Sequence, residues 1–420
     1  MKRIFISLFF FAFMWTAAGA DASPELLFVR WPANPDAVWY SFRIVPVTQH
    51  FGRKEMRPPI YEDGHVFRDS VMIEKEITDS YDGPGILCCQ VKAIGLDGQS
   101  ISAYSAPVPM EKAAQEMERY APKIRVKYHE QNGTVLLYPA YSFVKIPHAV
   151  SYEVEITDEE PENPDGCEPS VHRISQGVVT IPELFDESPR QGTVWWRVRG
   201  LDENGGPVGV WSEAEKIVND PAENWETGIL GDSISHGGGR MSYSPADWPY
   251  NYAYYLDFPT INMSRSGDKT DDLLRRFDAD VLPFHVRYLL IMGGTNNLRC
   301  GGTAEKVISD LEALQEKCRA NDIKPVLLTI PPIAPDRIWK YYHQPTAENW
   351  KAEFDKVNGW IRTQTHIDTA APFAMYEDMP ENLAADGLHP DKEAKEKMGK
   401  IINEKFPEIR KKISETKIQK

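Results

Sequence analysis

A repeated unit in the first half of the chain is the sequence feature that most restricts the fold. Trp31–Ala33 recurs 107 residues later as Tyr138–Ala140, and Gln90–Ala93 recurs at the same distance as Arg197–Gly200. Matches that keep one offset along a whole segment indicate duplication of a structural unit. We therefore expect residues 24–218 to fold as two similar domains rather than as one large core.

Each copy of the repeat consists of short segments in which apolar and polar residues alternate. Tyr152–Ile156 and Val194–Arg199 are two such segments, and turn formers such as Asp97 and Gly98 lie between segments of this kind. Alternation with a period of two is typical of strands that bury one face. The pattern predicts two all-β sandwiches, over residues 24–112 and 120–218.

Both copies resemble fibronectin type III modules. The resemblance rests on the aromatic-proline start of each copy and on Trp196–Ser212, which reads WRVRGLDENGGPVGVWS. It implies either a module that contacts a glycan or a cell surface, or a spacer that holds the next domain away from a surface. We favour the spacer.

The second half of the chain follows a different pattern, in which short apolar segments alternate with helical ones. The predicted strands are 227–230, 260–263, 288–292, 325–330 and 366–369, and the predicted helices are 270–277, 303–321, 348–363 and 390–406. Such alternation predicts an α/β domain whose parallel sheet has helices on both faces. Sites in such sheets form at the carboxyl ends of the strands.

Four short motifs lie at those predicted ends. Gly231–Ile234 follows the first strand, Ser266–Asp268 the second and Gly294–Asn297 the third, while Asp386–Pro390 precedes the last helix. Each motif alone is ordinary turn chemistry. Together and in this order they predict one site, because the carboxyl ends of parallel strands meet at one edge of the sheet.

In these four motifs the chain resembles the SGNH, or GDSL-type, hydrolases, over about residues 225–406. The resemblance implies an α/β/α flavodoxin-like fold, here assigned to residues 222–412. It implies Ser233 as nucleophile, His389 as base and Asp386 as its orienting acid, with Ser233, Gly267 and Asn296 forming the oxyanion hole. Ile234 replaces the usual Leu of the first block, and Asn297 stands where many members have Asp.

Several residues close to the motifs are candidates for the substrate pocket. They are His236, Arg240, Trp248, Tyr250, Arg299 and Trp339. We expect no cofactor, because the chain has no P-loop and no convincing dinucleotide fingerprint. We also expect no metal, because the five cysteines lack zinc-site spacing.

The first twenty residues have the composition of a secretory signal peptide. A basic start, Met1–Arg3, is followed by an apolar run and by the small residues Ala17–Ala20. We therefore expect export to the periplasm, the cell surface or the medium, without stable membrane insertion. Because the formal net charge is −15, we expect no general electrostatic attraction of the chain to nucleic acid or to anionic lipid.

These observations predict an exported serine esterase that acts through an acyl-enzyme. We expect its substrate to be a small-molecule or polysaccharide ester, with removal of an acetyl group from a carbohydrate or cell-envelope glycan favoured. The alternatives on the same fold are a lipase or lysophospholipase and a thioesterase. A non-catalytic carbohydrate-binding or adhesion protein is the alternative of a different class.

Overall fold

The computed structural model describes residues 25–34, 36–51, 53–125, 135–223, 225–238 and 245–418. The predicted signal peptide and the predicted pocket residue Arg240 lie outside these ranges. No helix in the described ranges is long and apolar enough to cross a membrane.

The first copy of the repeat forms two antiparallel sheets. Its elements are β1 (Leu26–Arg30), β2 (Trp39–His50), β3 (Arg53–Met56), β4 (Tyr61–Phe67), β5 (Ser70–Glu74), α1 (Glu76–Asp79), β6 (Ile86–Ile94), β7 (Val108–Pro109), α2 (Met110–Ala113) and β8 (Ala114–Met117). One sheet has the order β5-β1-β8 and the other β3-β2-β6-β7, with β4 also paired to β2. Trp31, Tyr40 and Phe42 are buried in the core of this copy.

The second copy repeats this plan. Its elements are β9 (Lys123–Ile124), β10 (Val135–Leu136), β11 (Ala140–Val144), β12 (Ser151–Thr157), β13 (Arg173–Val179), β14 (Glu183–Phe185), β15 (Gly192–Leu201), β16 (Pro207–Val208) and β17 (Glu215–Asn219). One antiparallel sheet has the order β14-β11-β9, and the other β13-β12-β15-β16, with β17 also paired to β15. The antiparallel sheets agree with an all-β fold in both copies, and the fibronectin type III assignment stays a prediction.

Equivalent positions of the two copies carry the same cation–aromatic contact. The Lys92 ammonium lies 4.9 Å from the ring centre of Tyr104, and the Arg199 guanidinium carbon lies 4.6 Å from that of Trp211. Arg199 follows Lys92 by 107 residues, and Trp211 follows Tyr104 by the same distance. A cation over an aromatic face is stabilising, and its recurrence supports duplication of the unit.

The five predicted strands of the second half form a parallel sheet. They are β18 (Thr227–Gly231), β19 (Ile261–Asn262), β20 (Tyr288–Met292), β21 (Lys324–Leu328) and β22 (His366–Ile367). Their order is β19-β18-β20-β21-β22, with every neighbouring pair parallel.

Helices cover both faces of this sheet. They are α3 (Ser233–His236), α4 (Thr270–Asp280), α5 (Thr295–Arg299), α6 (Ala304–Ala320), α7 (Pro335–Tyr342), α8 (Trp350–Ile361) and α9 (Lys392–Ile418). Apolar residues of α4, α6 and α8 pack on one face of the sheet, and those of α9 pack on the other. Adjacent strand residues therefore point into different cores, which explains why the strands are apolar throughout.

The short helices α3 and α5 were not predicted, and two longer helices also differ from the sequence-based expectation. α7 was not predicted, because its start lies in the proline-rich segment 331–335, although proline is favoured at the first position of a helix. The last helix was expected to end at Phe406, and it continues through Pro407 to Ile418. Phe406, Ile409 and Ile413 pack against one apolar cluster, which stabilises the continuation.

A sixth strand of the parallel sheet comes from the second copy of the repeat. β10 pairs in parallel with β19, so that Val135 lies beside Ile261 and Leu136 beside Asn262. The Leu137 N–H continues this ladder by donating to the Asn262 carbonyl at 2.8 Å. The catalytic sheet therefore includes a strand from outside the predicted 222–412 domain.

The five cysteines are all free thiols. Cys88, Cys89 and Cys318 are buried, while Cys300 is exposed.

Candidate active site

Three side chains from two motifs form one hydrogen-bonded chain at the carboxyl edge of the sheet. Ser233 Oγ lies 3.0 Å from His389 Nε2, and His389 Nδ1 lies 2.8 Å from Asp386 Oδ2. Ser233 begins α3 directly after β18, whereas Asp386 and His389 lie on the loop before α9. The arrangement has the distances and the order of a nucleophile, its base and the base's orienting acid.

Asp386 is held as an ionised carboxylate, which accepts hydrogen bonds. Burial alone favours the neutral acid, but the facing His389 ring and the backbone N–H groups of His389 and Leu388 hold the pKa of Asp386 below its usual value. Those two N–H groups donate to Asp386 Oδ1 at 2.8 Å and 2.7 Å. An ionised Asp386 accepts a hydrogen bond from the Nδ1–H of His389. The unprotonated Nε2 then faces Ser233 and can accept its proton.

The turn that presents Ser233 is stabilised by the residue before it. Asp232 caps α3, because its Oδ1 accepts the Ile234 N–H at 2.9 Å. Asp232 is 1% exposed, and burial raises its pKa to about 6. Its cap fixes the short helix on which the Ser233 side chain and N–H both depend.

Three hydrogen-bond donors are available for an oxyanion at this edge of the sheet. Within the described residues, the backbone N–H groups of Ser233 and Gly267 have no acceptor. Gly267 has φ of +89°, a conformation that favours glycine and that orients its N–H. Asn296 uses one amide proton on the Asp268 carbonyl, at 2.9 Å, which leaves its second amide proton available.

The Asn296 amide is oriented from its oxygen side as well. Arg299 Nε donates to Asn296 Oδ1 at 3.2 Å, and Arg299 also contacts Gln344 Oε1 at 3.1 Å. Because Arg299 holds the oxygen, the Asn296 amide cannot flip without losing this bond. Arg299 also lines a cavity of about 380 Å³ with Cys300, Gln344, Pro345, Thr346 and Ala347.

Arg276 connects the loop that carries Gly267 to the ends of β18 and β19. Its guanidinium donates to Asp268 Oδ2 at 2.6 Å, to Asp280 Oδ2 at 2.9 Å and to the Met263 carbonyl. Burial raises the pKa of Asp268 above its usual value despite this arginine. The buried ion pairs fix the end of β19 against α4, so the second motif has a rigid base.

The ring of His236, a predicted pocket residue, is hydrogen-bonded at both of its nitrogens. His236 is 3% exposed, and its Nδ1 accepts the Ser266 N–H at 3.2 Å. Because Nδ1 is the acceptor, Nε2 carries the proton and donates to the Tyr138 carbonyl at 2.7 Å. His236 therefore connects the nucleophile helix to the second copy of the repeat.

The remaining pocket candidates are placed in different surroundings. Trp248, another predicted pocket residue, is 8% exposed and packs in the core of the second copy. Tyr250 is buried and lines a cavity with Asp36 and Asp391, whereas Trp339 is exposed on α7. Arg299 contacts Asn296 of the third motif, and His236 contacts Ser266 of the second.

Two residues that contact the site were not predicted. The Tyr342 hydroxyl donates to Asp386 Oδ2 at 2.7 Å from α7, which the sequence analysis missed. Lys395 is fully buried on α9, and its Nζ donates to the Ile234 carbonyl. A signal for Lys395 was present, because it shares the apolar helix face of Met398 and Ile402.

No cluster of three or more metal-ligating side chains occurs within the described part of the chain. The chemistry that the arrangement supports is acyl transfer through Ser233, since a nucleophile, a base, an orienting acid and oxyanion donors lie together.

Comparison with known proteins agrees with this chemistry. Residues 229–397 match the profile of the GDSL-like Lipase/Acylhydrolase family. Thioesterase 1/protease 1/lysophospholipase L1 of Escherichia coli K12 is 29% identical over 171 residues, which are 40% of this chain and 76% of that protein.

Two solved structures are similar to the same part of the chain. A GDSL-like lipase from Bacteroides thetaiotaomicron has 18% identity and a TM-score of 0.37, covering 45% of this chain and 90% of its own. A mutant of an acetyl-xylooligosaccharide esterase from Geobacillus has 18% identity and a TM-score of 0.34, covering 42% and 92%.

The fold, the serine-centred site and the family match define the class of this protein as a serine ester hydrolase. More particularly, residues 229–397 are similar to the GDSL-like Lipase/Acylhydrolase family.

Proposed function

We propose that the protein is an exported esterase that removes acetyl groups from a carbohydrate or cell-envelope glycan. The observation that carries the proposal is the hydrogen-bonded chain from Ser233 through His389 to Asp386. Export is supported by the signal-like sequence of Met1–Ala20.

In the proposed reaction, Ser233 Oγ attacks the ester carbonyl while its proton passes to His389 Nε2. The resulting oxyanion accepts hydrogen bonds from the Ser233 and Gly267 N–H groups and from the Asn296 amide. His389 then gives its proton to the leaving sugar hydroxyl, and an acyl-Ser233 ester remains. Water, deprotonated by His389, attacks this ester and releases acetate and free Ser233.

The cavity beside Asn296 supports a polar acceptor with a small acyl group. Its volume, about 380 Å³, is near the lower end of the range for small-ligand sites. Arg299 and Gln344 offer hydrogen bonds at its edge, and Pro345 and Ala347 provide small apolar surfaces. Such a mixture suits a sugar ring, which has both hydroxyls and an apolar face.

A second candidate is a thioesterase or lysophospholipase activity. It is favoured by the similarity to the Escherichia coli protein named thioesterase 1/protease 1/lysophospholipase L1, of which this chain covers 76%. The roles of Ser233, His389 and Asp386 would be unchanged, and only the acyl group and the leaving group would differ.

The test of the enzyme assignment is labelling of the full-length protein with a fluorophosphonate probe. We expect wild-type protein and Ser188→Ala, a control at an exposed serine of the second copy, to label equally. Ser233→Ala should not label. A folded wild-type protein that does not label at Ser233 would overturn the assignment.

The substrate is tested by comparing acetate release from acetylated xylo-oligosaccharides with hydrolysis of nitrophenyl palmitate, a long-chain acyl-CoA and a lysophospholipid. We expect the highest kcat/KM on the acetylated sugar. A preference for any long-chain substrate would contradict the glycan proposal and favour the second candidate.

A further inference from the structure

Lys395 is a buried lysine close to the nucleophile. It lies in the first turn of α9, six residues after His389, and its side chain has no exposed surface. Burying an ammonium group away from water is costly unless the group is paired and hydrogen-bonded. The partners of Lys395 are therefore informative about what its charge stabilises.

Both polar backbone groups of Ile234, the residue after the nucleophile, are held by buried side chains. The Ile234 N–H donates to Asp232 Oδ1 at 2.9 Å, and the Ile234 carbonyl accepts from Lys395 Nζ. Asp232 and Lys395 thus hold the two peptide units on either side of the Ile234 Cα, Asp232 by the N–H of the first unit and Lys395 by the carbonyl of the second. A shift of the first unit moves the Ser233 Cα and side chain with it.

The two charges also depend on each other. The second oxygen of the Asp232 carboxylate has no hydrogen-bond partner within the described residues. Burial raises the pKa of Asp232 to about 6, and the nearby His389 and Lys395 limit this rise. Loss of the Lys395 charge would therefore let Asp232 take up a proton and weaken its cap on Ile234.

The same reasoning applies to Lys395 itself. Burial lowers the pKa of Lys395 to about 7, and Asp232, Asp391 and Asp386 limit this fall. The Tyr252 ring centre lies 6.0 Å from its Nζ, and Lys395 contributes to keeping the buried His236 neutral. Asp232 is the first of the three carboxylates that favour the charged lysine, and it is the one that caps α3.

We propose that Lys395 is a positioning residue for the nucleophile: the charged Lys395 and Asp232 hold the two peptide units on either side of the Ile234 Cα, so that Ser233 is presented to His389 and to the substrate. This inference rests on the proposed serine esterase function. It makes activity depend on the charge of a residue that touches neither substrate nor reacting atoms.

The experiment uses the full-length protein and nitrophenyl acetate as the probe ester, with kcat and KM measured from pH 5 to 9.5. Lys395→Arg keeps the charge, Lys395→Gln keeps a hydrogen-bond donor without charge, and Lys395→Met removes both. Lys400→Met, at an exposed lysine of the same helix, is the matched control. Circular dichroism checks the fold of each variant.

We expect kcat of the Gln and Met variants at the wild-type optimum to fall roughly tenfold to 100-fold, with KM changed less than about threefold. Their acidic limb should move up by about one pH unit, because carboxyl and imidazole groups lose a nearby positive charge. Lys395→Arg should keep most of kcat and lose the alkaline decline that the wild type shows as Lys395 deprotonates, since guanidinium stays charged.

A Gln variant with wild-type kcat and pH profile would overturn the inference, and so would equal losses in the Arg and Gln variants. If the Met variant does not fold, the Arg and Gln variants decide the question. A wild-type protein without esterase activity or Ser233 labelling is a different result, because it refutes the proposed function itself.

Discussion

Neutral His236 should make the stability of the catalytic unit fall as the solution becomes acidic. Burial lowers the pKa of His236 to about 4, and its Nδ1 must remain unprotonated to accept the Ser266 N–H. In the unfolded chain the imidazole is expected to titrate near its ordinary pKa of about 6.5. The unfolded state therefore binds a proton at a higher pH than the folded state does.

The size of the effect follows from the difference between the two pKa values. Because the folded pKa of His236 is the lower one, its contribution is fully present above about pH 6.5 and is lost as the pH falls toward 4. The full loss is about 3 kcal/mol, since each pKa unit corresponds to about 1.4 kcal/mol. Between pH 7 and pH 5 the expected loss is about 2 kcal/mol.

Urea unfolding of wild type and His236→Gln at pH 7 and pH 5 measures this loss. Glutamine offers a donor and an acceptor but does not titrate, so the variant should lose about 2 kcal/mol less than wild type over this interval. The transition to analyse is the one in which esterase activity disappears. His50→Gln, at an exposed histidine of β2, is the control and should behave as wild type. Equal pH dependence in wild type and His236→Gln would refute the assignment of a buried neutral imidazole.

Two further predictions concern the oxyanion donors and the sixth strand. Asn296→Ala should lower kcat about 10²–10³-fold with little change in stability, measured on nitrophenyl acetate, and full activity would remove Asn296 from the oxyanion hole. A fragment of residues 222–412 lacks β10 and Tyr138, whose hydroxyl donates to buried Asp280 Oδ2 at 2.7 Å. Thermal denaturation should show its Tm at least about 10 °C below that of a 120–412 fragment, and equal Tm values would contradict the structural role of this strand.

The sequence was sufficient to predict the five strands β18 to β22 of the parallel sheet, because these strands are buried on both faces. Tyr288–Met292 was predicted at its observed bounds, and the other four strands were placed to within two residues at each end. A continuous apolar run that is followed directly by a polar motif is a strong signal for a buried strand that ends at a site. That signal also placed the four motifs at one edge, where the structure brings Ser233, His389 and Asp386 together.

The placements around the site that the sequence did not predict concern the direction of a side chain or a contact between distant segments. His236 and Trp248 follow the nucleophile closely in sequence, but nearness along the chain does not determine which side of the backbone faces the substrate. β10 has two residues and pairs with a strand more than 120 residues away, so neither its length nor its composition predicts it. Tyr342 reaches Asp386 from a helix whose proline-rich start resembled a loop.

These contacts explain why the motifs alone do not define the working site. The helix that carries Ser233 is held at its first turn by Asp232 and Lys395 and at its last residue by His236, whose Nε2–H donates to Tyr138 of the repeat. The Tyr138 segment in turn belongs to the ladder that extends β19, the strand before Gly267. Since the nucleophile helix and the strand that leads to Gly267 share this segment, a displacement of the second copy would change the geometry between Ser233 and the oxyanion donors. The second copy is therefore a structural part of the catalytic unit, whichever ligand or surface it contacts elsewhere.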